Sequence, residues 1–130
     1  MLRAGLAAAA LLVVAYLGIA LRDTVLTERG EHIARLTTAT PAEIGAARRD
    51  LERARFLNPD TRPLIAEGEL LIAHGDVRTG VAWLERAVRR EPENALDWGL
   101  LASAIARSDP ERSRQATAEA RRLSPPVAPR

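Results

Sequence analysis

Apolar residues follow two different patterns along this chain, and the switch between them divides it. From Ala4 to Leu21 no charged residue occurs across eighteen positions. Wound as a helix, such a run rises about 27 Å, close to the thickness of a bilayer's hydrocarbon layer. Seven of the eighteen are Ala, which is nearly neutral toward insertion, so Leu6, Leu11, Leu12, Val13, Val14, Leu17, Ile19 and Leu21 carry the apolar drive. The pattern predicts a short transmembrane anchor over residues 1–21, with residues 4–21 in the membrane. A cleaved secretory signal is the rival reading, with Arg3 as its basic head and Gly18-Ile19-Ala20 as a small-residue cleavage signal.

After Arg22 the apolar positions recur at helical spacing. Residues 22–41 are expected to form a connecting helix and loop, the helix able to continue the membrane segment, with Val25, Leu26, Ile33 and Leu36 on one face and Gly30 weakening the middle. Thr40-Pro41-Ala42-Glu43 has the form of a capping box with Pro at the first helical position. The helix it opens places Ile44, Ala47, Leu51 and Ala54 on one stripe and stops at Asn58-Pro59. A second pair follows: Leu64, Gly68 and Leu71 share a face, Gly75 suits a left-handed stop, and Asp76 caps a return helix with Gly80, Leu84 and Ala87 in line. In the third pair Asn94 caps a helix bearing Trp98, Leu101, Ala102 and Ile105, and Asp109-Pro110-Glu111 opens the last one. That helix stops at Ser124-Pro125-Pro126, leaving 126–130 as a Pro-rich tail. Nothing alternates long enough to suggest a strand, so the expected fold class is all-α.

Composition narrows the chemistry. The nineteen basic residues are all Arg, and Lys and Cys are both absent. That excludes disulfides, thiolate zinc sites, a Walker lysine and a Schiff base. His32 and His74 fall on different helices with no carboxylate or second His at clasp spacing, and His74 beside Gly75 suits a helix C-terminal dipole. Ser103, Ser108, Ser113 and Ser124 lack a nucleophile elbow, and no Gly-rich phosphate loop occurs. No catalytic residue, metal, cofactor or small-molecule substrate is therefore assigned, and the chain is not expected to be an enzyme. Net charge is +2, and only Phe56, Trp83 and Trp98 supply aromatic rings after residue 22, so nucleic acid is not an expected partner.

The arginines cluster in closing turns: Arg53 and Arg55, Arg89 and Arg90, Arg121 and Arg122. They compensate helix dipoles or, taken together, make a basic edge (Arg89, Arg90, Arg121, Arg122) suited to an anionic lipid surface or acidic polymer. Trp83 lies off its helix's core stripe, available for packing against a neighbouring helix pair or as a surface anchor.

Helix ends repeat at a fixed interval. Pro59, Pro92 and Pro125 are 33 residues apart, as are Ala54, Ala87 and Ala120, and a period of this size built from helix pairs marks an α-solenoid. The residues resemble the tetratricopeptide repeat (TPR). Trp98-x2-Leu101-Ala102-x2-Ile105 and Leu64-x2-Glu67-Gly68-x2-Leu71 match its first helix. Gly80-x3-Leu84-x2-Ala87-x4-Pro92 and Ala47-x3-Leu51-x2-Ala54-x4-Pro59 match its second, with Ser113-x3-Thr117-x2-Ala120-x4-Pro125 the poorest copy. The resemblance implies a TPR-like domain over residues 42–125, with Trp98 enclosed as a large core residue and a peptide groove on the first helices. That groove would be lined by Arg62, Ile65, Glu69, Ile72, Ser103 and Arg107, with Ala73, Leu96 and Gly99 beside them. It implies a small bacterial membrane-anchored adaptor that binds protein partners during assembly of an envelope or membrane complex. Two other readings stand: a secreted or periplasmic binding protein after signal cleavage, or the regulatory subunit of a membrane enzyme. A single amino-terminal anchor is expected to place the domain on the extracytoplasmic side.

Overall fold

The computed structural model describes residues 2–36, 38–56 and 58–125, with side chains from Ala10 onward. These residues form six helices and no strand: α1 (Leu2–Arg35), α2 (Pro41–Arg55), α3 (Arg62–Ala73), α4 (Val77–Arg90), α5 (Ala95–Ile105) and α6 (Pro110–Leu123). The tail expected at 126–130 lies outside the described residues.

Short polar side chains start these helices where the sequence placed them. The Thr40 hydroxyl accepts from the Glu43 N–H, and the Glu43 carboxylate accepts from the Thr40 N–H at 2.7 Å, closing the capping box. Asp76, Asn94 and Asp109 accept from the N–H groups of Thr79, Leu96 and Arg112 at the starts of α4, α5 and α6. Gly75 ends the α3 turn at φ 94°, a conformation closed to most side chains.

Helix α1 runs unbroken past residue 21, so the connecting helix expected after Arg22 continues the apolar segment without a break. Its two halves differ in surroundings. Every residue from Ala10 to Arg22 is exposed, whereas Asp23, Leu26, Thr27 and Gly30 are buried against α2 and α3. Gly30 does not weaken the helix: a Cβ there would stand 2.6 Å from Leu51 Cδ2, so its missing side chain admits α2. The lower half of α1 and all of α2 therefore form a first hairpin, followed by α3–α4 and α5–α6.

The hairpins stack in chain order, α3 against α1 and α2, then α5 against α4. Two buried clusters fill the joints. Ala47, Leu51, Ala66 and Leu70 meet beside Ile33 and Ala34, and Leu84, Val88, Leu101 and Ile105 meet beside Ile65, Ile72, Val81 and Trp98. Trp98 is half-buried rather than enclosed, because its indole N–H reaches out to donate to the Pro92 carbonyl at 2.8 Å.

Charged side chains cross the same joints. Buried Glu67 pairs with Arg55 at 2.6 Å and Arg48 at 3.7 Å, and the Arg55 guanidinium lies 4.1 Å from the Trp83 ring centroid. Trp83 thus packs on the preceding hairpin. Arg90 donates to the Asn58 carbonyl at 2.8 Å, and Arg112 pairs with Glu85 at 2.6 Å.

Candidate functional site

Because α5 settles on α4, a cleft of about 480 Å³ opens between α1, α3 and α5. Ile72, Ala73, Leu84, Leu100 and Ala104 give it an apolar floor, while Glu31, Arg35, Glu69 and Ser103 supply polar groups. The helical repeat explains the grouping: Glu69, Ile72 and Ala73 are spaced to share one face of α3, as Glu31, Ala34 and Arg35 share one face of α1.

Charges in the cleft are mixed, with Glu31 and Glu69 beside Arg35. Although Glu69 is exposed at the cleft mouth, desolvation by its neighbours pushes its carboxyl above the ordinary range, the nearby Glu31 carboxylate adds to the rise, and Arg35 opposes it. Glu31 is also held by Arg62 at 2.9 Å. With Glu31 already paired, Glu69 is the carboxylate left facing the apolar floor. Among the described residues no three His, Asp or Glu side chains gather as metal ligands.

Three of the six groove residues read from the sequence, Glu69, Ile72 and Ser103, line this cleft together with Ala73. The Ser103 hydroxyl is already committed, donating to the Gly99 carbonyl at 2.9 Å. The other three stand elsewhere. Ile65 is packed against the Leu84–Leu101 cluster, Arg62 touches the cleft only through Glu31, and Arg107 is exposed in the turn after α5. Leu96 and Gly99 face a different depression, the terminal cleft of about 750 Å³ between α5 and α6. Missed entirely was the α1 wall. Its signal was present in Leu26, Gly30 and Ala34, apolar or small residues at a spacing of four with Glu31 and Arg35 beside them.

The four arginines of the basic edge are differently engaged. Arg89 pairs with Glu85 at 3.7 Å, Arg122 pairs with Glu119, Arg90 holds the Asn58 carbonyl, and Arg121 borders the terminal cleft. His74 does serve a helix C-terminus, but that of α1: its Nε2–H donates to the Ile33 carbonyl at 3.3 Å.

No protein-family model, curated protein or solved structure matches this chain.

Proposed function

We propose that the protein is a non-enzymatic membrane-anchored adaptor whose hairpins form a short TPR-like solenoid, and that the α1–α3–α5 cleft receives a partner peptide. The observation that carries this reading is the cleft itself, a recess on the first helix of each hairpin with an apolar floor and a rim of mixed charge. A peptide with apolar side chains and an Arg or Lys set against Glu69 fits that chemistry, since Glu31 is already held by Arg62.

Retention of the amino-terminal helix as an anchor is supported by its surroundings. Leu11, Leu12, Val14 and Leu17 are each more than half exposed, with no protein surface to cover them. Gly18-Ile19-Ala20 lies inside the continuous α1, and Ile19 and Ala20 stand against the corner formed by Asn58, Pro59 and Asp60. The lone amino-terminal anchor favours a domain outside the cytoplasm.

The test is photocrosslinking in membranes from a side chain at Ala73 of the full chain. One discrete adduct is expected, lost on Glu69→Arg with helicity unchanged and retained on Arg107→Glu. Adducts that survive Glu69→Arg and Leu100→Asp alike would remove the cleft as the binding site.

A further inference from the structure

We propose that the end of the domain holding the carboxyl termini of α2, α4 and α6 rests on the headgroup layer of the bilayer that α1 enters, with Phe56 and Leu96 inserted and arginines on the lipid phosphates. The inference rests on the membrane anchorage proposed above and deepens it, since it assigns a second, peripheral lipid contact to the folded domain.

Position along α1 comes first. Tyr16, Ile19, Ala20, Asp23 and Thr24 line one pocket with Asn58, Pro59 and Asp60, so the corner between α2 and α3 stands level with the end of the apolar run. Headgroups add about 5–7 Å to each side of the hydrocarbon layer, the rise of roughly four helical residues. Counted from Leu21, that layer covers about residues 22–25, so the corner, beside Tyr16 to Thr24, straddles the border between the acyl chains and the headgroups. No loop intervenes to hold the domain away, because α1 is continuous.

The antiparallel hairpins bring the other even-numbered helices to the same level. Arg90, closing α4, donates to the Asn58 carbonyl. Asp97, in the first turn of α5, is buried beside Thr61 at the start of α3, and Arg121 and Ser124 share the terminal cleft with Asn94 and Leu96.

What this end presents is unusual for the domain. Beyond α1, the exposed large apolar residues among those described are Phe56 at 72%, Leu96 at 67% and Val77 at 43%. The two most exposed both lie at this end, and Val77 lies at the opposite one. An exposed aromatic and an exposed Leu at headgroup depth bury their area in the acyl boundary. Around them the side chains of Arg53, Arg89 and Arg122 are 63%, 65% and 64% exposed despite their carboxylate partners, leaving guanidinium N–H groups to meet phosphate oxygens. Asp60, Glu91 and Glu93 share this end and limit the net charge, so the contact is with phosphates and the acyl boundary rather than with a broad anionic field.

The cysteine-free chain makes the test direct, since one introduced Cys carries the only spin label. The full chain is reconstituted in vesicles of phosphatidylcholine and phosphatidylglycerol, with labels placed in turn by Leu12→Cys, Leu96→Cys and Val77→Cys. A nickel chelate carried on lipid headgroups should relax the Leu96 label several-fold more than the Val77 label, while the Leu12 label collides with oxygen as in hydrocarbon. Equal relaxation at Leu96 and Val77, with Leu12 still in hydrocarbon, would overturn the contact and spare the anchor. A water-exposed Leu12 label would overturn the anchor instead. With the label moved to Ser124→Cys, the added pair Phe56→Asp and Leu96→Asp should lower its relaxation toward the Val77 value. Unchanged relaxation with unchanged helicity would show that those two side chains do not hold the domain down.

Discussion

Hairpins α3–α4 and α5–α6 are built on the same 33-residue period, yet they close by different means. In α3–α4 a Cβ added to Gly80 would lie 2.6 Å from both the Gly68 carbonyl oxygen and Ile72 Cγ1, so the helices meet backbone to backbone. In α5–α6 the matching positions are Ala102 and Ser113, and the Ser113 hydroxyl donates to the Ala102 carbonyl at 2.8 Å. Leu84, 2% exposed, corresponds to Thr117, whose hydroxyl turns back on the Ser113 carbonyl. The interior hairpin has neighbours on both sides and gains by excluding every atom it can. The terminal hairpin has one neighbour, and small polar groups bonded within it close the helices without leaving a bare apolar wall toward water. One sequence period thus encodes two packing strategies, set by position in the stack.

The largest expected effect falls on the close contact. Gly80→Leu has no space in which to place even its first carbon, and should cost about 3 kcal/mol or more, read as a lowered urea midpoint by circular dichroism. A midpoint within error of wild type would mean that the two helices are not in backbone contact. Next in size is Trp98→Ala. An enclosed Trp would lose about 3–5 kcal/mol, but this half-buried ring should lose about 2, including its hydrogen bond to the Pro92 carbonyl. A loss at the enclosed value would place the terminal hairpin in the same packing regime as the interior one.

The smallest effect has the opposite sign. Asp97 is 1% exposed, and the Thr61 hydroxyl beside it is the one polar group that favours its charged form. Burial raises its pKa above 3.8, the Thr61 hydroxyl opposes the rise, and Glu91 and Asp60 add to it. A raised folded value means that the native state holds the proton more tightly than the unfolded chain does. The group's favourable contribution is therefore complete below 3.8 and is lost as pH climbs through the folded value. Asp97→Asn, which never ionises, should stabilise the domain at neutral pH by about 1 kcal/mol. The advantage should shrink as pH falls toward 4, by thermal midpoints across that range. A variant equally stable at both ends would mean that Asp97 is paired or hydrated.

Local chemistry was the most legible part of the fold. The caps at Thr40, Asp76, Asn94 and Asp109, the turn at Gly75 and the stripes through Leu51 and Leu84 each depend on residues within a few positions of one another, and each stands where the sequence placed it. What depended on distant neighbours was harder to read. The segment 22–35 looked like a connector because its Gly30 precedes Leu51 by 21 residues, whereas Gly68 precedes Leu84 by 16. Helix α1 is therefore out of phase with the 33-residue interval that α2 keeps through Ala47, Leu51, Ala54 and Pro59, and the Glu31–Arg35 wall of the cleft was lost with it. Partners of single arginines were equally hidden, since nothing near Arg90 in the chain points to a carbonyl 32 residues earlier.

The unbroken course of α1 carries a mechanical consequence. A helix without a joint is a rod, and what turns one end turns the other. Residues 22–35 extend about 20 Å below the apolar run, so a tilt of ten degrees in the upper half moves the far end by roughly 3.5 Å. Helix α1 is long and apolar enough to span a bilayer; in the anchored state proposed above its tilt would respond to bilayer thickness, and Glu31 and Arg35 ride on its far end. Swivelled with that rod, the cleft would take its bearing from the membrane: a thicker or thinner bilayer would re-aim the opening presented to a partner with no change inside the domain.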